Sequence, residues 1–509
     1  MLKPPMLPSL NPAVQRLPPE MLCEIFNWTM VDGYFRRVYG WQTPTAPWRL
    51  THVCQAWRDA ARACPTLWSS IHIVAPDPAH DEYSAYLDDT DHGDDDEPDS
   101  EVKKPQKRRD SSVPVASAKC QSDAESEEES DESDDEEQFS TADYFPRAAV
   151  ETQLQLSQSA PLDVVFDLGC FCSASHLCKL LRIVVRESNR WSALTLRWVY
   201  TPDIFASLAK IKGRLSQLES LKLLPRKGGL DYSYWPHVFA DIFGDAPRLR
   251  CAALARHPPG IPPPFSIPHH QLTHVRLWGT SQFILNMLPI MANTLVDATL
   301  EADDDSDSED APISIELPHV KRLSLANDAE FQGLLVPRLA SLTLPGLPGD
   351  IRFLPEILDR SQCHLKTLNL GRYCYYIKLD VLLPLLRLAP DLLHLRVEYA
   401  RHISCFPKDL PHALAADSTI CPRLVSIDID ATHGKARTLR KEYCELVEAF
   451  WNRTKEVRSL RSVRFIRHER HSGDPLGARV EKMRVEGLEI EYASEASLDE
   501  ESKEESDED

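Results

Sequence analysis

The sequence predicts an α/β protein, with a small all-helical module followed by a repetitive region of short strands and helices. Apolar residues recur at helical spacing between residues 17 and 63, and segments of the form L-x-x-L-x-L recur between residues 218 and 465. A strongly acidic stretch interrupts this order and is too polar to pack. The predicted parts are an N-terminal extension 1–16, a helical module 17–73, an acidic insert 77–143, a repeat region 150–492 and an acidic tail 493–509.

The module is predicted to hold two helices joined by a linker over residues 31–47. The first begins at Pro19 and Glu20, because proline is tolerated in the first helical turn and a carboxylate is favoured at a helix N-terminus. Its apolar residues recur at helical spacing, namely Leu22, Ile25 and Phe26. The second helix is predicted over 48–63, and Pro65 is expected to prevent it from continuing further.

Three motifs in this module occur in a fixed order: LPPEMLCEIF, LTHVCQAWRD and CPTLWSSI. Together they resemble an F-box in the form common among large fungal F-box proteins, although the linker is longer than in a minimal F-box. The resemblance implies docking on the Skp-type adaptor of a cullin–RING ubiquitin ligase. The residues that match the motif, and are expected to contact the adaptor, are Leu17, Pro18, Leu22, Ile25, Leu50, Val53, Cys54, Trp57, Leu67 and Trp68. The alternative for any one of them is a place in the module's own core.

The repeat region contains ten segments of the L-x-x-L-x-L form at irregular intervals. They begin at residues 218, 249, 272, 295, 320, 339, 365, 392, 424 and 460. Alternate apolar residues predict short strands with one buried face, and stacked strands bury a core that no single repeat could form. The sequence therefore predicts an irregular leucine-rich-repeat-like α/β solenoid, for which 152–166 and 189–198 supply the first turns. Such a region also resembles the part of these fungal proteins that lies C-terminal to the F-box.

One position of the repeat, the residue between the last two leucines, should point away from the core. Reading it along the chain gives several basic residues, and Trp278 lies on the same face as Arg276. We expect this face to capture an acidic or phosphorylated protein segment, because arginine and lysine pair well with carboxylates and phosphates. The expected contacts are Lys222, Arg276, Trp278, Arg396 and Arg464. The alternative is an ordinary solvated sheet of mixed charge.

The net charge of -21 is concentrated in acidic tracts. The insert 77–143 holds 25 Asp and Glu against 6 Lys and Arg, and we expect it and the tail to be disordered. Its serines Ser122, Ser126, Ser130 and Ser133 lie among acids, a context that suits an acid-directed kinase, or they are incidental. KKPQKRR at 103–109 is either a nuclear import signal or a chance basic cluster.

Catalytic motifs such as a phosphate-binding loop or a nucleophile elbow are not recognised, so the chain is predicted not to be an enzyme. Cys170, Cys172, His176 and Cys178 are too closely spaced for four tetrahedral zinc ligands, and no metal or cofactor is predicted. Neither a signal peptide nor a membrane span is predicted, which favours the cytoplasm or nucleus and a role without membrane or specific nucleic-acid binding. The sequence thus predicts a substrate-receptor subunit of a ubiquitin ligase. The alternative is a nuclear acidic scaffold or histone-binding protein.

Overall fold

A computed structural model of the chain describes the helical module and most of the repeat region. The described residues are 17–31, 47–74, 147–167, 174–198, 202–225, 241–255, 266–302, 314–326, 329–345, 351–371, 377–398, 407, 409–430, 441–453, 459–466 and 475–493. The chain divides into one unit formed by Met1–Pro76 with Phe145–Asp509 and a second unit, Asp77–Tyr144. The predictions for the N-terminal extension, the acidic insert with its serines and basic cluster, and the tail from Ser494 fall outside the described residues.

Two α-helices lie in the module and nine in the repeat region, among the residues described. They are α1 Pro19–Val31, α2 Gln55–Ala63, α3 Arg147–Leu156, α4 Ala174–Val185, α5 Pro202–Leu208, α6 Ser281–Met291, α7 Leu354–Ser361, α8 Leu379–Arg387, α9 Leu410–Ala416, α10 Lys441–Trp451 and α11 Pro475–Val485. Each of these described helices is too short or too polar to cross a bilayer.

Sixteen strands are found in the described part of the chain, and fourteen of them form one parallel sheet. The strands are β1 Ser70–Val74, β2 Leu162–Asp167, β3 Trp191–Trp198, β4 Ser220–Pro225, β5 Cys251–Ala255, β6 His274–Gly279, β7 Asp297–Ala302, β8 Ile315–Glu316, β9 Arg322–Ala326, β10 Leu334–Leu335, β11 Ser341–Leu344, β12 Thr367–Leu370, β13 His394–Glu398, β14 Ser426–Asp430, β15 Ser462–Ile466 and β16 Glu489–Ala493. Their order in the large sheet follows the chain from β1 to β16, and β8 pairs with β10 in a separate short ladder.

The α/β class confirms the coarse prediction from the sequence, and the structure adds that the strands form one large parallel sheet. Each of the ten L-x-x-L-x-L segments contains a strand that begins at the third residue of the segment, as Ser220 does in LESLKL. The leucine or valine that opens each segment is buried just before the strand, as at Leu218 and Leu272. Alternate strand residues then continue that core, so β6 has buried Val275 and Leu277 on one face and exposed Arg276 on the other.

A single hydrophobic core runs along the sheet from Ile71 in β1 to Leu488 just before β16. The helices of the repeat region contribute their buried faces to it, as α6 does with Ile284 and Leu288. Since hydrophobic stabilisation scales with the apolar area removed from water, each repeat gains stability mainly from its two neighbours. We call the opposite side of the sheet, which carries Arg276, the open face.

The prediction of the module's second helix is wrong in one respect, because residues 48–63 do not form one continuous helix. A 3₁₀ turn spans Trp48–His52, and α2 begins only at Gln55. Between them Cys54 is extended, with φ -157° and ψ 173°, and its Sγ accepts a hydrogen bond from the Trp57 N–H. This geometry is that of an N-cap, where the backbone leaves the helical region and a side chain satisfies a free amide.

Candidate functional site

The module has a compact core of its own. The buried members are Leu22, Phe26, Ala60, Ala61, Cys64, Leu67 and Trp68, and partly buried Leu17, Cys23, Trp48, Leu50, Trp57 and Leu156 pack against them. The core joins one face of α1 to one face of α2 and to the exit turn Pro65–Trp68. The two short helices are therefore stabilised by shared burial rather than by their own length.

Trp48, Trp57 and Trp68 account for much of this packing. This explains why three tryptophans occur between residues 48 and 68. The Trp68 ring is fully buried, and its Nε1 donates to the Ala61 carbonyl oxygen at 2.7 Å. Trp48 meets Trp68 edge to face at 4.9 Å between ring centroids, and Phe26 lies 4.9 Å from Trp57. Such tilted and edge-to-face contacts stabilise an aromatic pair beyond its buried area.

The exit turn of the module leads directly into the large sheet. β1 follows Trp68 and pairs in parallel with β2. The Gln153 side chain of α3 donates from Nε2 to the Ser70 carbonyl oxygen at 2.7 Å, and Leu156 of α3 packs against the module's core. The module is therefore attached to the first strand of the sheet by backbone pairing, a hydrogen bond and apolar contact.

Three large apolar side chains of the module face solvent. Met21 and Ile25 lie one turn apart on α1 and are 52% and 39% exposed, and Val53, between the 3₁₀ turn and α2, is 44% exposed. They account for three of the six large hydrophobic residues found exposed in the described part of the chain. We call Met21, Ile25 and Val53 the exposed apolar set. Clustering of such residues in one small module is typical of a surface that binds a partner.

The residues predicted to contact an adaptor divide into three groups. Pro18, Ile25 and Val53 are exposed. Leu17, Leu50, Cys54 and Trp57 are partly buried, with Cys54 serving as the cap of α2. Leu22, Leu67 and Trp68 are buried in the module's core, which is the alternative that the sequence left open for each of them.

Met21 belongs to the exposed apolar set but was missed by sequence reasoning. The only signal was its spacing, four residues before Ile25 on the same helix. On a helix, residues four apart lie on one face, so the exposed position of Ile25 implies that of Met21.

The thiols of the module are structural groups. Cys23 Sγ approaches the Ala60 carbonyl oxygen at 3.6 Å. Desolvation raises the pKa of the Cys23 thiol to about 11, with a further contribution from neighbouring Cys64. A thiol with so high a pKa stays protonated near neutral pH and is a poor nucleophile.

The residues predicted for the open face lie in one continuous row across the sheet. Strand pairing brings Lys222 beside Ala253, Ala253 beside Arg276, and so on in register. The row continues through Thr299, Ser324, Thr343, Asn369, Arg396, Asp428, Arg464 and Glu491. Trp278 is partly buried two residues beyond Arg276, on the same face.

Carboxylates on neighbouring strands neutralise three of the four predicted cations. Arg276 Nη2 lies 2.6 Å from Glu301 Oε1, Arg464 Nε lies 3.1 Å from Glu491 Oε2, and Arg396 Nη2 lies 2.6 Å from Asp430 Oδ2. Reading a single position of each repeat missed these acids, because most of them lie two residues further along the strands. The open face therefore has mixed charge. Lys222 is exposed.

One of the closely spaced cysteines considered as zinc ligands, Cys178, lies in the described helix α4. Cys178 is buried, whereas Cys170 and Cys172 lie outside the described residues. No group of three or more potential metal ligands is found among the residues the structure describes.

Comparisons of the chain with known protein families and with curated proteins find no match.

Proposed function

We propose that this chain is the substrate-receptor subunit of a cullin–RING ubiquitin ligase of the SCF type. In this proposal residues 17–73 are an F-box that docks on a Skp-type adaptor, and residues 150–492 are a leucine-rich-repeat-like solenoid that captures a protein substrate. Ubiquitin transfer is carried out by other subunits. The proposal joins the three F-box-like motifs of the sequence to one structural observation, the exposed apolar set.

The exposed apolar set supports docking because the module does not need it for its own core. On α1, Leu22 and Phe26 face inward and complete the core, while Met21 and Ile25 face solvent. Burying a large apolar side chain contributes about 1.5–3 kcal/mol relative to full exposure. Covering these half-exposed residues with a partner would therefore contribute about 2–4 kcal/mol, a part of the free energy that adaptor binding requires.

The attachment of the module to the sheet supports the second half of the proposal. β1 continues from the exit turn into the sheet, so a substrate held on the repeats would have a fixed position relative to an adaptor held on the module. A fixed position favours transfer, because proximity and orientation lower the cost of bringing reactants together. Of the predicted cationic substrate contacts, Lys222 is the best placed, since the three arginines already pair with carboxylates.

Binding of the purified full chain to a purified Skp-type adaptor tests the proposal. The variant Ile25→Asp/Val53→Asp places charges in the exposed apolar set and should weaken binding by at least about 30-fold, as expected for two anchor residues. The matched control is Ile290→Asp/Val485→Asp, which changes two equally apolar side chains, 57% and 82% exposed, in the repeat region. The control should bind like the unmodified chain.

Trp57 is unsuitable for this test although it matches the F-box motif. Its ring packs on Phe26, so replacing it would disturb the core as well as any docking surface. Equal loss of adaptor binding in the Ile25/Val53 variant and in the control, or no binding by the unmodified chain, would refute the assignment.

A further inference from the structure

The two ends of the large sheet differ in how well their apolar side chains are covered. At the first end, β1 follows the exit turn of the module, and its inward residues Ile71 and Ile73 are buried. The last end is β16, where Ile490 is only partly buried and Tyr492 is 39% exposed. Val485, at the end of the preceding helix α11, is 82% exposed.

Among the described residues, β16 pairs with one strand only, β15, so its other side has no described strand beside it. In the preceding strand β15, the inward residues Val463 and Phe465 occupy the positions of Ile490 and Tyr492 and are fully buried. The Tyr492 ring stacks on Phe465 at 5.4 Å, which covers one side of it. Terminal repeats of solenoids normally carry a polar cap, whereas this end presents apolar side chains.

The backbone of β16 also has a free edge, as far as the described residues extend. The Glu489 N–H donates to the Arg461 carbonyl oxygen on the β15 side at 2.9 Å. Successive residues of a strand direct their backbone groups to opposite sides, so Ile490 and Tyr492 present theirs away from β15. No other described strand pairs with that side. An unpaired edge of this kind is a template for another strand.

The side chains of β16 define what such a strand should carry. On the open face Glu489 and Glu491 are both exposed, although Glu491 also pairs with Arg464 of β15, and on the inward face Ile490 and Tyr492 offer apolar surface. Directly opposed side chains of neighbouring strands interact, and pairs of opposite charge are favourable. The fitting strand would place lysine or arginine beside the glutamates and apolar side chains beside Ile490 and Tyr492.

We propose that the free edge of β16 binds an extended segment of another protein in which basic and apolar residues alternate. The chain's own tail fits poorly, because 494–509 holds nine Asp and Glu, one Lys and a single leucine. A second copy pairing through β16 fits poorly as well, since it would bring glutamates of two copies together. The proposal goes beyond adaptor docking and uses no residue of the module.

A synthetic peptide of sequence KVRIKVR, titrated onto the full chain, tests the proposal. A scrambled peptide, KKRRVVI, has the same composition without alternation and should bind at least about tenfold more weakly. The variant Glu489→Lys/Glu491→Lys should weaken binding of KVRIKVR by about tenfold, because two favourable cross-strand pairs become repulsive. Its control, Glu316→Lys/Asp359→Lys, makes the same change of charge at exposed sites elsewhere and should have little effect.

N-methylation separates strand pairing from general attraction between charges. Two forms of KVRIKVR are made, methylated on the backbone nitrogens of either the odd or the even residues. In one form the methylated nitrogens would face β16, and methylation there should abolish binding. In the other form they would point away from β16, and binding should be nearly unchanged. Equal binding of both methylated forms, equal binding of the scrambled peptide, or equal effects of the two double variants would overturn the proposal.

Discussion

Neighbouring residues of one motif have opposite environments, as Leu22 and Ile25 show. Both match the same F-box-like motif, yet Leu22 is buried against α2 and Ile25 faces solvent. The motif shows that both positions are apolar but not which face each one lies on, since that depends on where α2 packs. The sequence therefore predicted the candidate set, and the packing divides it into core and surface.

The Arg396–Asp430 pair gives a prediction for single residues of the open face. Asp430 is fully buried, so Arg396→Ala would leave its carboxylate without its cation and should lower the free energy of unfolding by about 2 kcal/mol. The matched variant Arg276→Ala should cost less than about 0.5 kcal/mol, because Arg276 and Glu301 are both accessible to solvent. Chemical denaturation measures both. Equal losses would contradict the difference in burial.

His269 gives a prediction for pH dependence. Burial, and then neighbouring His270, lowers the pKa of His269 below its ordinary value near 6.5. The folded state therefore holds the neutral imidazole, and stability contributed by this group is complete above that pH. It is lost as the pH falls below about 6.5, because the unfolded chain then binds the proton more readily.

Denaturation at pH 7.5 and pH 5.5 checks this sign. The loss of stability at the lower pH should be smaller in His269→Gln than in the unmodified chain. The variant His270→Gln changes an exposed neighbouring residue, and it should lose nearly as much stability at the lower pH as the unmodified chain does. The same pH dependence in His269→Gln and in the unmodified chain would show that His269 is not the group responsible.

At the scale of elements, the strands were more predictable than the helix boundaries. A strand of this sheet needs only alternate apolar residues, and the opening leucine of each segment fixes its register. β16 was missed because Gly487 stands where the other segments have leucine or valine. The break before α2 was missed because cysteine is an unusual N-cap, and nothing in the spacing of apolar residues marks it.

Cys54 gives a prediction for the helix α2. Its thiol is a weak acceptor, so Cys54→Ser should hold the Trp57 N–H better and stabilise the protein by about 0.5 kcal/mol. Cys54→Ala removes the cap and should destabilise it by a similar amount, about 0.5 kcal/mol. Thermal melting of the two variants in parallel is the measurement. A serine variant no more stable than the alanine variant would show that the cap contributes little.

At the scale of the whole molecule, the sequence predicted the α/β class and the ten repeat strands, but it left open whether the open face is basic or of mixed charge. That charge depends on cross-strand pairs such as Arg322 with Asp297 at 2.9 Å, which join residues 25 positions apart. Reading one position of each repeat does not show which acids lie beside it at the other positions of the neighbouring strands. The register of the strands must be known first.

The acidic insert gives a prediction for the whole chain. Its composition predicts that it buries little apolar area, so deleting residues 80–140 should leave the melting temperature unchanged or slightly raised. A slight rise is expected because a shorter connection between Val74 and Arg147 costs less loop entropy. Scanning calorimetry checks it. A fall of several degrees would mean that the insert packs against the rest of the chain.

We propose that the module docks on an adaptor through side chains that its own core does not use. Hydroxyl-radical footprinting of the full chain, with and without a purified Skp-type adaptor, tests it most directly. Met21, Ile25 and Val53 should be protected in the complex, while Ile290 and Val485, equally apolar and exposed in the repeat region, should be labelled as before. Protection confined to the repeat region, or no change at the exposed apolar set in a saturated complex, would contradict the claim.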